Sequence, residues 1–307
     1  MIKLNNKLEN TKKSNLKIML GFDCDRPRGK FINTEEGIKM AKIKFDSIQR
    51  ISKTLEELEI SRTFFVCGQF LESMTMVFGK EEMKKAFCVN SQYVEIGDHS
   101  YSHNTVKKIL TRPDKNPISP EEVENEFKKN TKIFKDIFGL KIPNRAYRTP
   151  LGHADGLKDN EKLQEKLKKI GVKYVSSDLR DADDGLNPPL VNKDNTPRQP
   201  YYYKNGLLEI PSAGWQDTVF SKTSKTPTKV KTPETYEEII NYYTGLFEKA
   251  LSIAEGSKKE YFLGLVLHPY DNSFYNINNR FFYDLNKIAT RINAQFCKYE
   301  DVLQKFG

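Results

Sequence analysis

The stretch "NEKLQEKLKKIGVKYVSS", residues 160–177, joins a helix to a strand through one glycine. Leu163, Leu167 and Ile170 recur at helical spacing, so its first part reads as an amphipathic helix. Gly171 reads as the stop, because the position just past a last turn favours the left-handed conformation that glycine adopts freely. The apolar, β-branched run behind it then reads as a buried strand.

The same alternation extends in both directions. Strand candidates are "KIMLGF" (17–22), "RTFFVC" (62–67), "YVEIG" (93–97), "RAYR" (145–148), "VKYVSS" (172–177), "GLLEI" (206–210), "YFLGLVL" (261–267) and "AQFCKY" (294–299). Between them lie periodic segments such as "KFDSIQRISKTLEEL", "SPEEVENEFKKNTKIFKDIF" and "TYEEIINYYTGLFEKALSIA". Ser119, Pro120, Glu121 and Glu122 open the second of these as a capped helix start. Seven or eight strand–helix units in one chain predict an α/β fold with a parallel sheet closed, or nearly closed, into a barrel. The expected organisation is one catalytic domain over residues 17–307 behind a flexible tail, residues 1–16.

Composition narrows the function. Fifty Lys+Arg against 41 Asp+Glu give a net charge of +9. Many of the lysines lie in "MIKLNNKLENTKKSNLK" and "SKTSKTPTKVKTPE", which lack the interleaved aromatics of a nucleic-acid surface, so no nucleic-acid partner is expected. No run approaches the roughly 20 apolar residues of a membrane span, and no secretory signal is expected. Cys24, Cys67, Cys88 and Cys297 form no CxxC pair, which fits reduced thiols and a cytoplasmic location. Assembly into homo-oligomers is left open.

In such barrels chemistry gathers at the C-terminal strand ends. All four histidines (His99, His103, His153 and His268) fall at strand ends, together with "DCDRPRG" after the first strand. His99 and His103 stand at i and i+4, so a helical turn would bring both rings to one side. A catalytic divalent metal takes about three protein ligands and keeps open positions, and a carboxylate from another strand end would complete the set. Asp23 and Asp25 alternate with Cys24, so both point toward the barrel mouth and Cys24 points away. One carboxylate can bind metal while the other serves as base. A pair of histidines satisfied by turn backbone is the plainer alternative, and the carboxylate pair argues against it.

In order, "FDCD", "EIGDHSYSH", "YRTPLG", "EIPS" and "LVLHP" resemble the motifs of the polysaccharide deacetylase family, the NodB-homology carbohydrate esterases; "TFFVCG" and "YVSSD" resemble two of its other strands. The resemblance runs from the first strand to the last long one and implies a distorted (β/α) barrel of about seven strands. It implies Asp23 as general base, and Asp25, His99 and His103 as ligands of one divalent metal, zinc by default. It implies Arg148 as the cation that keeps the base ionised, His268 as the acid for the leaving amine, and the backbone near Leu151 as an oxyanion donor. A carboxylate supporting His268 is expected among Asp178, Asp181 and Asp183.

The chain departs from the family pattern in three places. Cys24 separates two aspartates that are commonly adjacent, Leu151 stands where an aromatic is usual, and the usual Asp-Trp of the fourth motif is not evident. Trp215, the lone tryptophan, is either an apolar wall for an acyl methyl group or ordinary core. His153 is expected in an exposed loop or else in contact with substrate, Asp98 behind the ligands, and Arg26 and Arg28 near an anionic substrate or as local charge balance. The expected function is metal-dependent removal of an acetyl group from an N-acetylated sugar or glycan precursor. The alternatives are hydrolysis of a cyclic amide or imide in the manner of allantoinase, deformylation of a formamido sugar, and, outside enzymes, a catalytically silent carbohydrate-binding protein.

Overall fold

The computed structural model describes residues 14–140, 146–228, 230–276 and 280–306. Their order is β1 (Leu16–Cys24), α1 (Glu35–Glu57), β2 (Arg62–Val66), α2 (Gly68–Phe78), α3 (Lys80–Phe87), β3 (Val94–Asp98), α4 (Pro120–Phe138) and β4 (Ala146–His153). There follow α5 (Glu161–Lys169), β5 (Tyr174–Asp178), β6 (Tyr201–Tyr202), β7 (Leu208–Glu209), α6 (Tyr236–Ser257), β8 (Tyr261–Leu267), α7 (Pro269–Tyr275), α8 (Arg280–Arg291), β9 (Gln295–Cys297) and α9 (Leu303–Phe306). Residues 1–13 of the expected tail lie outside the described residues, and Leu16 already belongs to β1.

Local chemistry sets the helix boundaries. Ser119 and Glu122 form a capping box with Pro120 in the first turn, and Gly139 ends α4 at φ 74°. Thr235 and Glu238 cap α6 in the same way. Asn160 caps α5, and Gly171, at φ 95°, turns the chain into β5. Such a cap contributes about 1 kcal/mol. In the segment behind β2, Gly79 at φ 83° separates α2 from α3, two helices the strand–helix reading had not distinguished.

The sheet runs β6-β7-β5-β4-β3-β2-β1-β8, and every pairing in it except β6 with β7 is parallel. Just past β7, Ser212 bridges Gly264 of β8, and Ala213 N–H donates to the Gly264 carbonyl at 3.0 Å. This curls the parallel strands into a distorted barrel. Strand residues are buried on both faces, as parallel sheets require.

Alternation along β1 sorts its side chains into two layers. Ile18, Leu20, Phe22 and Cys24 pack outward into the core under the helices, whereas Met19 joins Phe65, Tyr174 and Tyr299 inside the barrel. The segment read as a strand over 294–299 pairs with β1 only through 295–297. The chain then turns inward and lodges Tyr299, fully buried, in the barrel interior. Among the described residues no helix is long and apolar enough to cross a membrane.

Candidate active site

Asp23 ends the inward column of β1 that begins with Met19 and passes Gly21. Arg148 of β4 donates from Nη1 to Asp23 Oδ1 at 2.8 Å. The guanidinium is fully buried, 4.0 Å from the Phe65 ring centre and 4.9 Å from that of Tyr299. Stacking between aromatic faces compensates a buried cation in a way a lysine could not match. The arrangement also explains Gly21, where a Cβ would lie 2.5 Å from the Arg148 guanidinium.

His99 and His103 reach the site by a route other than the helical turn expected from their spacing. The segment behind β3 is a loop in which Ser100 and His103 both take φ 61°. Ser100 N–H donates to Asp98 Oδ1 at 2.7 Å, and His103 N–H to Ser100 Oγ at 2.9 Å. Short polar side chains thus hold the left-handed turns that a bare backbone would avoid. Asn130 of α4 donates to the same Asp98 oxygen at 3.0 Å, anchoring the loop from behind. The two rings end with centres 4.8 Å apart.

His99 Nδ1 lies 2.9 Å from the Arg148 carbonyl, so that nitrogen carries the proton and donates. Its Nε2 lone pair therefore faces Asp23 Oδ2 at 3.7 Å, and His103 Nε2 faces Asp25 Oδ2 at 3.6 Å. Burial lowers the pKa of both imidazoles, His103 most strongly, which favours the neutral form a metal ligand needs. Burial alone would raise the Asp25 carboxyl. The neighbouring cations Lys44, Arg28 and Arg26 together pull it below the usual carboxylate range. Two neutral nitrogens and two carboxylates thus converge at distances too long for hydrogen bonds and suited to a divalent cation between them.

At the neighbouring strand end, His268 follows β8, whose Leu267 pairs with Phe22 of β1, and its Nδ1 donates to Asp217 Oδ1 at 2.7 Å. The His268 backbone N–H and the Tyr275 hydroxyl donate to Asp217 Oδ2 at 2.7 and 3.2 Å. Burial would lower the imidazole, but the Asp217 carboxylate more than offsets it, with smaller help from Asp23 and Asp271, and raises it to about 9. One ligand atom each of Asp217, His268 and Asp271 lie within 4.8 Å of one another. Asp271 Oδ1 accepts from the Ser221 and Thr223 hydroxyls, so these carboxylates already face donors. The trio reads as a proton-holding pair with a supporting acid.

Asp217 was missed at the sequence level. Asp178, offered as a partner of His268, instead accepts from Arg198 at 2.6 Å, and Asp181 accepts from the backbone of Asp183 and Gly185. The signal that could have found Asp217 is "GWQD", an acid eight residues past the end of β7. Trp215 itself is 8% exposed and packs in the core under the helices. The apolar wall of the site comes from Met40, Leu151, Leu179 and Leu186.

A second omission is Lys44. It lies on the apolar stripe of α1 with Ala41, Phe45 and Ile48, is 1% exposed, and brings Nζ to 3.6 Å from Asp25. A lysine at a stripe position is the sequence signal for it. His153, expected in an exposed loop, is 1% exposed at the end of β4.

Leu151 is placed by an irregularity. Between Arg148 and His153, β4 spends five steps against two on β5, from Ser176 to Asp178. The extra residues bulge toward the cavity, with Leu151 at φ 66° and Gly152 at φ 61°. A non-glycine in this region costs about 1 kcal/mol. Arg180 fixes the bulge by donating from Nε to the Leu151 carbonyl at 2.8 Å. Asp23, Asp25, His103, Leu151 and His268 all line one cavity of about 300 Å³, with His99 and Arg148 behind its wall.

Comparison with known proteins bears on this geometry. Residues 35–175 match the family described as polysaccharide deacetylase, a span that holds His99, His103 and Arg148. No curated protein matches the chain. A Mycobacterium smegmatis protein assigned to the polysaccharide deacetylases superposes with a TM-score of 0.63 at 16% identity, over 96% of this chain and 91% of its own. A Pseudomonas aeruginosa PAO1 protein with the same assignment gives 0.62 at 12% identity, over 95% and 90%. The Puue allantoinase gives 0.61 at 13% identity, over 96% and 91%. At these identities the likeness is one of fold. The match over residues 35–175 ties that segment to the family described as polysaccharide deacetylase, and the superpositions show that the chain shares the fold of these proteins.

Proposed function

We propose that the chain is a metal-dependent hydrolase that removes an acetyl group from the nitrogen of an N-acetylated sugar or glycan precursor. The observation that carries this reading is the facing of two neutral imidazole nitrogens toward Asp23 and Asp25, with His268, bonded to Asp217, lining the same cavity. Asp25, His99 and His103 would hold the ion, zinc being the default for nitrogen and oxygen donors, and it would supply Lewis-acid polarisation of the acyl oxygen and a more acidic water.

The remaining roles belong to the chain. Asp23, oriented by the hydrogen bond from the Arg148 guanidinium, accepts the proton of the attacking water. The Leu151 backbone, held in its bulge by Arg180, offers an N–H to the developing oxyanion. His268, charged through its bond to Asp217, donates a proton to the departing nitrogen. Met40, Leu179 and Leu186 give the acyl methyl group an apolar wall.

The test is detection of released acid by mass spectrometry. The zinc-loaded protein is offered N-acetyl sugars, sugar oligomers, formamido sugars and allantoin, with Asp23→Asn as the blank. Acetate absent from the blank is the expected result. Formate alone, or ring-opened allantoin alone, would overturn the acetyl assignment, and no product from any of them would overturn catalysis.

A further inference from the structure

Beside the reacting cavity lies a second one of about 340 Å³, which shares Arg26, His103, Arg112, Leu151 and Lys225 with it. Its charged lining is Arg26, Arg28, Arg112, Lys115 and Lys225 against the single acid Asp114. Asp114 is engaged by Arg112, through Nε and Nη2 at 3.0 Å each, and by Lys115 at 3.7 Å. Arg26 and Arg28 lie 3.6 and 3.3 Å from Asp25, a carboxylate they share with Lys44. Lys225 is exposed on the loop between β7 and α6. One lining acid against five cations leaves a surplus far larger than a single carboxylate could balance.

A pocket that concentrates like charge beside a catalytic centre carries a self-repulsion cost and is compensated when an anion binds. From this we propose that the second cavity binds a phosphoryl group of the substrate, so that the sugar is presented as a phosphate or diphosphate ester with its N-acyl group in the reacting cavity. The proposal rests on the N-deacetylation reading and narrows its substrate class. Guanidinium groups suit the tetrahedral oxygens of phosphate because each offers paired N–H donors. The shared wall of Arg26, Arg112 and Leu151 puts the two groups of one small molecule within reach of both cavities.

The test is calorimetric binding to zinc-loaded Asp23→Asn protein, which needs no turnover. The probes are N-acetylglucosamine, N-acetylglucosamine 1-phosphate and N-acetylmuramic acid, the last carrying a carboxylate. The sugar phosphate is expected to bind at least about tenfold more tightly than the other two at low salt, and the advantage should shrink as salt shortens the Debye length. Adding Arg112→Gln with Lys225→Gln should remove most of that advantage. Because Arg112 is mostly buried, Lys115→Gln with Lys225→Gln is a second background, expected to remove a smaller share. Equal affinity for the neutral sugar and its phosphate, an equal gain from the carboxylate, or a phosphate preference untouched in both backgrounds would overturn the proposal. Failure of the catalytic reading is distinguishable: it is absence of acetate from the wild-type protein while the phosphate preference persists.

Discussion

Two histidine–carboxylate clusters stand side by side at one cavity, and the proposed reading gives the same residue types opposite tasks. In the first, His99 and His103 stand 3.6–3.7 Å from Asp23 and Asp25 without hydrogen bonds, and burial keeps the rings neutral. In the second, His268 is bonded to Asp217 at 2.7 Å and stays protonated to about 9. The difference comes from where the other donors lie. His99 spends its N–H on the Arg148 carbonyl and so turns a lone pair to the carboxylates. His268 spends its N–H on Asp217, whose second oxygen is held by backbone and tyrosine. In the proposed reading, hydrogen-bond saturation, rather than residue type, separates the cluster assigned to a metal from the one assigned to hold a proton.

The largest expected effect breaks the first cluster. His99→Ala or His103→Ala should abolish metal retention and lower kcat/KM by about a thousandfold or more while the far-ultraviolet circular dichroism stays native. Normal metal content in both variants would refute the ligand assignment.

Asp217→Asn sharpens the second cluster. It removes the carboxylate that offsets burial, so His268 should lose its proton below its ordinary value near 6.5 rather than at about 9. The basic limb of the pH–rate profile should move to lower pH by more than two units, with about a hundredfold loss of rate at neutral pH and unchanged metal content. A basic limb that does not move would remove Asp217 as the positioning residue.

A smaller effect is expected behind the first cluster. Gly21→Ala forces a methyl group against the Arg148 guanidinium and should cost about 1–3 kcal/mol of stability by denaturant titration. An unchanged midpoint would mean that Arg148 has room to move away from Asp23. The smallest effect is at Asp271, which holds Ser221 and Thr223. Asp271→Asn should raise KM about threefold and lower the basic limb of the pH profile by much less than Asp217→Asn does, because Asp217 rather than Asp271 bonds the imidazole.

Much of this arrangement was legible in the sequence because period and strand-end chemistry carry it. Helix–glycine–strand units such as residues 160–177 report the barrel, and alternation along "FDCD" places Asp23 and Asp25 inward and Cys24 outward. Spacing misled at His99 and His103, where side-chain bonds from Asp98 and Ser100 stabilise left-handed turns in place of a helical one. It also missed Asp217, Lys44 and Tyr299, since contacts between residues far apart in the chain leave no local period. His153 looked like a loop residue because its burial depends on β5 packing beside it.

Metal stoichiometry tests the division of labour between the clusters most directly. Plasma mass spectrometry on the purified wild type, His103→Ala and Asp217→Asn proteins, each loaded with zinc and dialysed, would show where the ion sits. The account predicts one zinc per chain in the wild type and in Asp217→Asn, and none in His103→Ala. Zinc retained in His103→Ala and lost from Asp217→Asn would reverse the two clusters and contradict it.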